Sequence, residues 1–313
     1  MDTILHVCSQ RLKMSSPNAY PATPGRPRDR APGWQSHAPL RHRRRRRRSR
    51  PATIHPGDLE PMSTAIARNL MAEMKLLGML AAFDTALSEA IRDQTSHSEL
   101  LDTLLQAEAD YRQERKTGYR IKAARFTLRP AFEDVDFTAS RSITRTQIKE
   151  LYSLQWLSDA RPVLLIGPTG VGKTFLAQAA GLHACACGKS VLYLTLTTWL
   201  ENLALARSSG TYLRYRDKLA KPDLVILDDM GMRKLSATEA QDLCELLEER
   251  SIGKSTLFTT QLPLDHWSEV IGDPVIADAI RDRLQHSALA IHITGESYRG
   301  VKARKLANRK KDS

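Results

Sequence analysis

The stretch LLIGPTGVGKTFLAQ, residues 164–178, decides the fold of this 313-residue chain. Its centre, GPTGVGKT at residues 167–174, satisfies the pattern G-x-x-x-x-G-K-[ST] at every position. An apolar run precedes the pattern and a helix-forming run follows it, which is the context in which such a loop wraps phosphate groups. The sequence therefore predicts a P-loop that binds a nucleoside triphosphate. The predicted binding residues are Gly167, Pro168, Thr169, Gly170, Val171, Gly172, Lys173, Thr174 and Phe175.

Each residue type in this loop has a chemical reason. The glycines let the backbone curl so that its N–H groups face the phosphates. The start of the following helix adds a favourable dipole. Lys173 is expected to reach the β- and γ-phosphates, and the Thr174 hydroxyl is expected to coordinate Mg²⁺.

A second signal, LVILDDMG at residues 224–231, follows the P-loop lysine by about 55 residues. Four apolar residues predict a buried strand, and two carboxylates come at its carboxyl end. Asp228 is predicted to hold the Mg²⁺, through water, because carboxylates are its usual protein ligands. Asp229 is placed to orient or deprotonate the attacking water, which makes it the candidate general base.

Two further segments carry candidate phosphate contacts. STLFTTQLP, residues 255–263, predicts a strand whose polar end lies beside the two carboxylates. There Gln261, ahead of Thr260, is a candidate sensor of the γ-phosphate, although a capped strand end would look the same. In ADAIRDRLQHSA, residues 277–288, Arg283 is a candidate finger toward a neighbouring subunit's nucleotide, ahead of Arg281, with surface salt bridges as the alternative.

From residue 161 onward strands and helices alternate, which predicts a parallel sheet covered by helices. We expect an α/β core with a five-stranded parallel sheet over residues 161–300. No C-terminal helical lid is expected, because a basic tail, residues 301–313, follows a short polar stretch. The predicted strands are Val163–Gly167, Ser190–Thr195, Leu224–Asp228, Ser255–Thr260 and Ala288–Ile293.

A small all-α domain is expected over residues 63–130, followed by a linker over 131–160. Ile66, Leu70, Met74, Leu77 and Ala81 recur at helical spacing and predict one apolar face. A second helix is predicted from residue 98 to about 117. Its basic later part is either a DNA-contacting surface or an ordinary solvated face. The DNA-binding candidates there are Arg112, Arg115, Lys116, Arg120 and Lys122.

The net charge of +12 is concentrated at the start of the chain, because residues 1–61 alone carry +9. This Pro- and Arg-rich extension, which includes RHRRRRRRSR at 41–50, is expected to be disordered. The arginine run is a nucleic-acid-binding arm, a solvated charge run, or upstream of a true start at Met62 or Met71. No apolar run approaches the roughly 20 residues of a membrane helix, and no secretory leader is evident, so we expect a cytoplasmic protein without a membrane partner.

Taken together, these motifs resemble the AAA+ ATPases of the DnaC/DnaA-like initiator clade. Within that clade the chain is most similar to the IstB-like family, the helper ATPases of bacterial insertion sequences. The resemblance spans residues 63–300. It is carried by MKLLGMLAAF, LLQAEADYRQERKTGYRIKAARF, FEDVDF, the two nucleotide motifs, TTQLPLDHWSEVIGDPVIADAIRDRL and GESYR.

The resemblance implies that ATP with Mg²⁺ is the ligand and that the family core is lidless. It makes Gln261 similar to sensor 1 and Arg283 similar to the arginine finger. SYR at 297–299 resembles a terminal motif of the clade, which brings Arg299 toward the nucleotide. Asp229 departs from the Glu of most AAA+ proteins, and its shorter side chain predicts slow basal turnover.

The segment between the second and third strands, residues 197–222, is longer than a crossover helix needs. It resembles the helical insertion that lines the DNA channel in initiator-type proteins. Trp199, Leu203 and Leu205 are expected in the core. The phosphate-contact candidates are Arg207, Arg214, Arg216 and Lys218.

The resemblance implies a transposition helper. ATP-bound subunits are expected to form a homo-oligomer on duplex DNA, largely independent of DNA sequence, and to deliver that DNA to a separate transposase at the bacterial nucleoid. A DnaC-type replicative helicase loader is the alternative, because its fold is nearly the same. A third possibility is a nucleotide-binding scaffold without turnover, which the complete set of candidate catalytic residues argues against.

Overall fold

A computed structural model describes residues 60–135, 142–295 and 297, with side chains from residue 64 onward. Outside these residues lie the arginine run, Arg299 and the tail at 301–313. The segment in which a C-terminal lid would occur also lies outside them. The described chain divides into two compact units, residues 60–112 and residues from 113 onward. In the described part, no helix has the length and apolarity to span a bilayer.

The first unit contains helix α1 (Glu60–Glu73), helix α2 (Leu77–Asp93) and the beginning of helix α3 (His97–Ala124). Its small core consists of Met79, Phe83, Ala86 and Leu104. The continuous apolar face expected from residue 66 to 81 is wrong, because the chain turns at Lys75, where φ is 58°. The turn leaves Ile66, Leu70 and Met74 more than half exposed.

Helix α3 is longer than predicted, and the boundary between the units falls inside it rather than near residue 130. The predicted linker is also folded. Helices α4 (Arg145–Ser153) and α5 (Gln155–Ser158) occupy it, after a short 3₁₀ turn at Phe132–Asp134. The reason is hydrophobic: Leu151 and Trp156 are almost fully buried against the sheet domain.

The second unit is built on five parallel strands in the order β2-β3-β4-β1-β5. The strands are β1 (Val163–Ile166), β2 (Val191–Thr195), β3 (Leu224–Met230), β4 (Ser255–Thr260) and β5 (Leu289–His292). All five predicted strands are confirmed within two residues at either end. With the P-loop after β1, this confirms an α/β AAA+ P-loop core with flanking helices.

Helices cover both faces of the sheet, as expected for parallel strands. The covering helices are α6 (Lys173–Ala186), α7 (Leu196–Ser208), α8 (Tyr212–Ala220), α9 (Ala237–Arg250) and α10 (Pro274–Gln285). A 3₁₀ segment, Leu264–Glu269, precedes α10. Local sequence fixes where these helices begin: Ser236 and Glu239 form a capping box before α9, and Asp273 caps α10 ahead of Pro274.

The strand order positions the site. Strand β4 lies between β1 and β3, with Leu165 paired to Thr259 and Leu227 paired to Phe258. Because all strands run in one direction, the P-loop after β1, the carboxylates at the end of β3 and the polar end of β4 meet at one edge.

Candidate functional site

The P-loop connects β1 to α6 through a backbone that only glycine accommodates at key positions. Gly172, the residue before α6, has φ of 102°. A Cβ atom on Gly167 would lie 2.0 Å from the carbonyl oxygen of Ile293. The side chain of Lys173 folds back over this loop, and its Nζ donates to the carbonyls of Gly167 at 2.7 Å and Pro168 at 2.8 Å. Burial lowers the pKa of Lys173, while Asp229 and Asp228 raise it.

Asp228 is the centre of the site. It is 1% exposed, and both of its carboxylate oxygens accept hydrogen bonds. Oδ1 accepts from the hydroxyls of Thr174, at 3.1 Å, and Thr259, while Oδ2 accepts from the Tyr193 hydroxyl at 2.7 Å. Burial, reinforced by the bond to Asp228, raises the pKa of Tyr193, so this hydroxyl keeps its proton and remains a donor.

Asp229 is exposed, whereas its neighbour Asp228 is buried, and the strand is irregular at these two residues. The β3–β4 pairing shifts register between Leu227 and Met230, and Asp229 has a left-handed backbone with φ of 63°. A non-glycine residue in this conformation costs about 1 kcal/mol or more, so it needs support from its surroundings. The Asp229 N–H donates to the Thr259 hydroxyl at 2.9 Å and provides that support. The Asp229 side chain is thereby presented at the exposed surface of the site.

At the polar end of β4, the residue that contacts the Asp228 carboxylate is not one of the two residues singled out in the sequence. Thr260 is buried, and its hydroxyl bonds the backbone of Leu262. Gln261 is exposed, and its Nε2 lies 3.0 Å from the Met232 Sδ. Thr259 is the strand-end residue that contacts the Asp228 carboxylate directly. Sequence reasoning missed both Thr259 and Tyr193; alternation along β4 was the available signal for Thr259.

Arg283 lies at the opposite edge of the sheet from the P-loop. It lines a small cavity with Pro162, which precedes β1, and Lys254, which precedes β4. Its guanidinium donates to the Ala279 carbonyl at 3.2 Å and lies 3.6 Å from Glu248. Arg281 instead pairs with Asp278 at 2.8 Å. Neither arginine is brought to the P-loop of its own chain.

The basic residues of α3 are not equivalent. In the first unit, Arg112 bonds Glu108 at 2.7 Å, and that carboxylate also accepts from the backbone at the start of α2. In the second unit, Arg120 is half-buried, and its Nη1 has no hydrogen-bond partner in the described part of the chain. Arg112 is exposed despite this bond, and the other exposed cations are Arg115, which bonds the Tyr119 hydroxyl, together with Lys116 and Lys122.

The insertion, α7 and α8, is fastened to α9 by two of the predicted phosphate contacts. Arg207 makes a two-pronged pair with Asp242 at 2.9 and 2.6 Å, and its guanidinium lies 4.3 Å from the centre of the Tyr212 ring. Arg216 pairs with Glu245 at 2.9 Å.

The solvent-facing cations of the insertion are the other two candidates, Arg214 and Lys218, which are both exposed. Trp199 and Leu203 are buried as predicted. The prediction for Leu205 is wrong: it is 66% exposed, because the face of α7 that packs on the sheet is formed by Trp199, Leu200 and Leu203.

Comparison with known proteins agrees with this geometry. Residues 69–307 match the family described as IstB-like ATP binding protein. An insertion sequence ATP-binding protein of Sinorhizobium fredii is 40% identical over 74% of this chain and 95% of its own length. The insertion sequence IS21 ATP-binding protein of Pseudomonas aeruginosa is 33% identical over 75% of this chain and 89% of its own.

Solved structures were compared as well. AMPPCP-bound DnaA from Aquifex aeolicus superposes with a TM-score of 0.47 and 18% identity, covering 54% of this chain and 51% of that one. DnaI superposes with a TM-score of 0.45 and 22% identity, covering 53% of this chain and 92% of that one.

Proposed function

The chain belongs to the family of IstB-like ATP-binding proteins, the ATPases of insertion sequences, and from that premise we propose that its ATP-bound subunits assemble on duplex DNA and deliver that DNA to a partner transposase. Hydrolysis of the bound ATP then limits the lifetime of the assembly. The ATP changes the assembly, and the strand-transfer chemistry belongs to the transposase.

The residues around Asp228 fit a bound Mg²⁺. The Thr174 hydroxyl and the Asp228 carboxylate lie together at the end of the P-loop, and oxygen donors of this kind are the ligands that Mg²⁺ prefers. When bound, the ion would neutralise charge on the β- and γ-phosphates. Lys173 supplies a positive charge to the same phosphates. Asp229 accepts the proton of the attacking water, and Gln261 contacts the γ-phosphate or that water.

Arg283 completes the site from a second subunit. One observation carries this proposal: Arg283 lies among residues that precede β1 and β4, at the edge of the sheet away from its own P-loop. An arginine in that place serves a nucleotide only across an interface between copies. Such an interface is heterologous, because it joins two different surfaces of the same protein. Its repetition from copy to copy generates a ring or a filament. Assembly and hydrolysis are thereby coupled in the same interface.

The DNA contacts in this proposal are the exposed cations of α3 and of the insertion. Arg115, Lys116 and Lys122 come from α3, and Arg214 and Lys218 come from α8. Arg112, Arg207 and Arg216 already pair with carboxylates, so they contribute less to the attraction for phosphate. Phosphate contacts of this kind carry little sequence information, so target preference is low.

The relatives support the transposase partner and the cellular location in this proposal. The match to this chain spans about nine-tenths of the length of relatives that are named for insertion sequences. This match supports a transposition helper over a helicase loader. We place the complex in the bacterial cytoplasm, at the nucleoid, where its target DNA lies.

Mixing two inactive variants tests the shared site. Lys173→Ala lacks the phosphate lysine but keeps Arg283, and Arg283→Ala has the opposite defect. Each alone should hydrolyse ATP at least about a hundredfold more slowly than wild type with duplex DNA present, because an arginine finger contributes about 10³-fold or more. An equal mixture should recover activity, since some interfaces then pair an intact P-loop with an intact finger.

Arg281→Ala is the matched control, because it removes a neighbouring arginine that pairs within its own helix. It should retain wild-type turnover. A mixture as inactive as its components, at concentrations where wild type assembles, would refute the trans assignment of Arg283.

A further inference from the structure

Tyr193 contacts Asp228 but has no part in the chemistry described so far. It lies in β2, is 5% exposed, and donates its hydroxyl to Asp228 Oδ2 at 2.7 Å. The other carboxylate oxygen is held by Thr174 and Thr259. The orientation of the carboxylate therefore depends on three hydroxyl donors, and Tyr193 alone approaches Oδ2 among the described residues.

A second contact reaches Tyr193 from the segment that follows α3. The Phe126 ring lies 6.3 Å from the Tyr193 ring, centre to centre. Burial raises the pKa of Tyr193, and the neighbouring Thr127 side chain lowers it. This segment, residues 126–128, comes immediately after the helix that carries Lys116, Arg120 and Lys122.

Gln178 fixes residues 126–128 on the P-loop helix. This residue of α6 is fully buried, and its Oε1 accepts from the backbone N–H groups of Thr127, at 3.0 Å, and Leu128, at 2.8 Å. Its Nε2 donates to the Thr127 hydroxyl at 2.9 Å. Hydrogen bonds thus join Gln178 to Thr127 and Tyr193 to Asp228, and the Phe126 ring beside Tyr193 connects the two pairs.

We propose that Tyr193 is a positioning residue for Asp228, and that Thr127 holds the Tyr193 hydroxyl in place. A displacement of the basic end of α3 by DNA is then transmitted to the Asp228 carboxylate through residues 126–128. The inference deepens the proposed function and rests on it in two respects, namely that Asp228 holds the Mg²⁺ of the nucleotide and that DNA binds the basic end of α3. The coupling is physical because each step is a hydrogen bond or a packing contact between neighbouring side chains.

Tyr193→Phe tests the positioning step, since it removes one hydroxyl and keeps the ring. The measurement is equilibrium binding of a non-hydrolysable ATP analogue, first with EDTA and then across a Mg²⁺ titration. Binding with EDTA should be unchanged, because the P-loop and Lys173 are intact. The Mg²⁺ concentration for half-maximal effect should rise by about tenfold, as expected for loss of a hydrogen bond to a charged group.

Tyr212→Phe is the matched control. Tyr212 lies in the insertion, and its hydroxyl donates to a different aspartate, Asp242 of α9, at 2.6 Å. The phenylalanine variant removes this hydroxyl and keeps the ring. Its Mg²⁺ titration should superpose on that of the wild type. Thermal unfolding of both variants shows whether each is folded, so a shift confined to Tyr193→Phe cannot be attributed to general loss of structure.

The substitutions at Thr127 test the transmission step in the full chain. Thr127→Val removes the hydroxyl and keeps the shape, whereas Thr127→Ser keeps the hydroxyl. Stimulation of ATP hydrolysis by duplex DNA should fall at least about fivefold in the valine variant, which loses the hydroxyl that accepts from Gln178 and faces Tyr193, and should be retained in the serine variant.

Two results would overturn the proposal: a wild-type Mg²⁺ titration for folded Tyr193→Phe, or equal DNA stimulation in the valine and serine variants. Asp228→Asn separates this from failure of the proposed function. If that variant kept the Mg²⁺ effect on nucleotide binding, Asp228 would not hold the ion and the proposed site itself would be wrong. A shifted Mg²⁺ titration in Tyr193→Phe, together with loss of the Mg²⁺ effect in Asp228→Asn, supports both the further inference and the proposed Mg²⁺ site.

Discussion

Arg250 is the buried residue whose replacement should cost the most stability in the ATPase domain. It is the last residue of α9 and is 1% exposed, yet it carries a full charge. Its guanidinium bonds the Thr256 hydroxyl at 3.0 Å and backbone carbonyls from three places in the chain. Those carbonyls belong to Leu219, Ala220, Pro222, Asp223 and Ser255. Arg250 therefore joins the end of α8 to the starts of β3 and β4.

The magnitude follows from the bonds that are fully enclosed. Three of them, to Thr256, Leu219 and Ser255, are buried at both ends. A hydrogen bond from a charged donor contributes about 1.5 kcal/mol at the low end, so the loss of three in Arg250→Met predicts about 4.5 kcal/mol. For a domain of this size each kcal/mol lowers Tm by about 2–4 °C, which gives a decrease of about 9–18 °C.

Thermal and urea unfolding, followed by circular dichroism, measure this loss. Arg233→Met is the matched control, because Arg233 pairs with Glu239 at 2.6 Å on the surface, where an ion pair contributes about 1 kcal/mol or less. Hydrogen exchange should also accelerate in α8, whose last carbonyls lose their donor. An Arg250→Met protein within about 1 kcal/mol of wild type would refute the assignment of Arg250 as a structural anchor.

Three further outcomes are expected. Asp229→Asn should bind ATP and DNA as wild type does but release phosphate at least about a hundredfold more slowly, as loss of a general base predicts, and its DNA assemblies should persist in light scattering; normal turnover would exclude Asp229 as the base. The bond from Arg233 lowers the pKa of Glu239 to about 2, so the stability that it contributes is complete above the ordinary glutamate pKa of 4.5 and is lost as pH falls toward 2. Glu239→Gln should flatten the dependence of Tm on pH across that range, and a dependence parallel to wild type would contradict the assignment. Finally, Lys122→Ala and Lys218→Ala should each reduce the slope of log DNA affinity against log salt by about 1, whereas Arg216→Ala, whose partner is Glu245, should leave the slope nearly unchanged. Equal slopes for all three variants would remove the proposed distinction between exposed and paired cations.

The sequence predicted the sheet well because each strand is a short apolar run next to a recognisable turn. The strand residues Val163–Ile166 and Leu224–Leu227 are buried on both faces of the sheet. Each run is therefore apolar at every position and can be recognised in the sequence without knowledge of its neighbours in the fold. The P-loop and the two aspartates were predictable for a related reason: local spacing alone brings Lys173 and Thr174 to the start of one helix.

Contacts between distant segments were not predictable in the same way. Tyr193 and Thr259 come from strands on either side of β3, and only the strand order brings both to Asp228. Arg207 and Arg216 look like DNA contacts in a basic stretch, but their carboxylate partners come about 30 residues later, on α9. The two helices within the predicted linker did not stand out because the five buried residues in 148–157 have helical spacing that is too brief to distinguish from a connector.

The chain topology supports the proposal that Arg283 acts on the nucleotide of a neighbouring copy. In a parallel sheet every strand ends at the same edge, so each crossover helix must return the chain to the opposite edge before the next strand begins. Helix α10 makes that return between β4 and β5, and Arg283 lies near its end, two residues before Gln285. Arg283 must therefore lie near the starts of the strands, whereas Lys173 and Asp228 lie near their ends. In the proposed assembly, the need for a second subunit therefore follows from the strand order, because Arg283 and the P-loop of one copy lie at opposite ends of the strands.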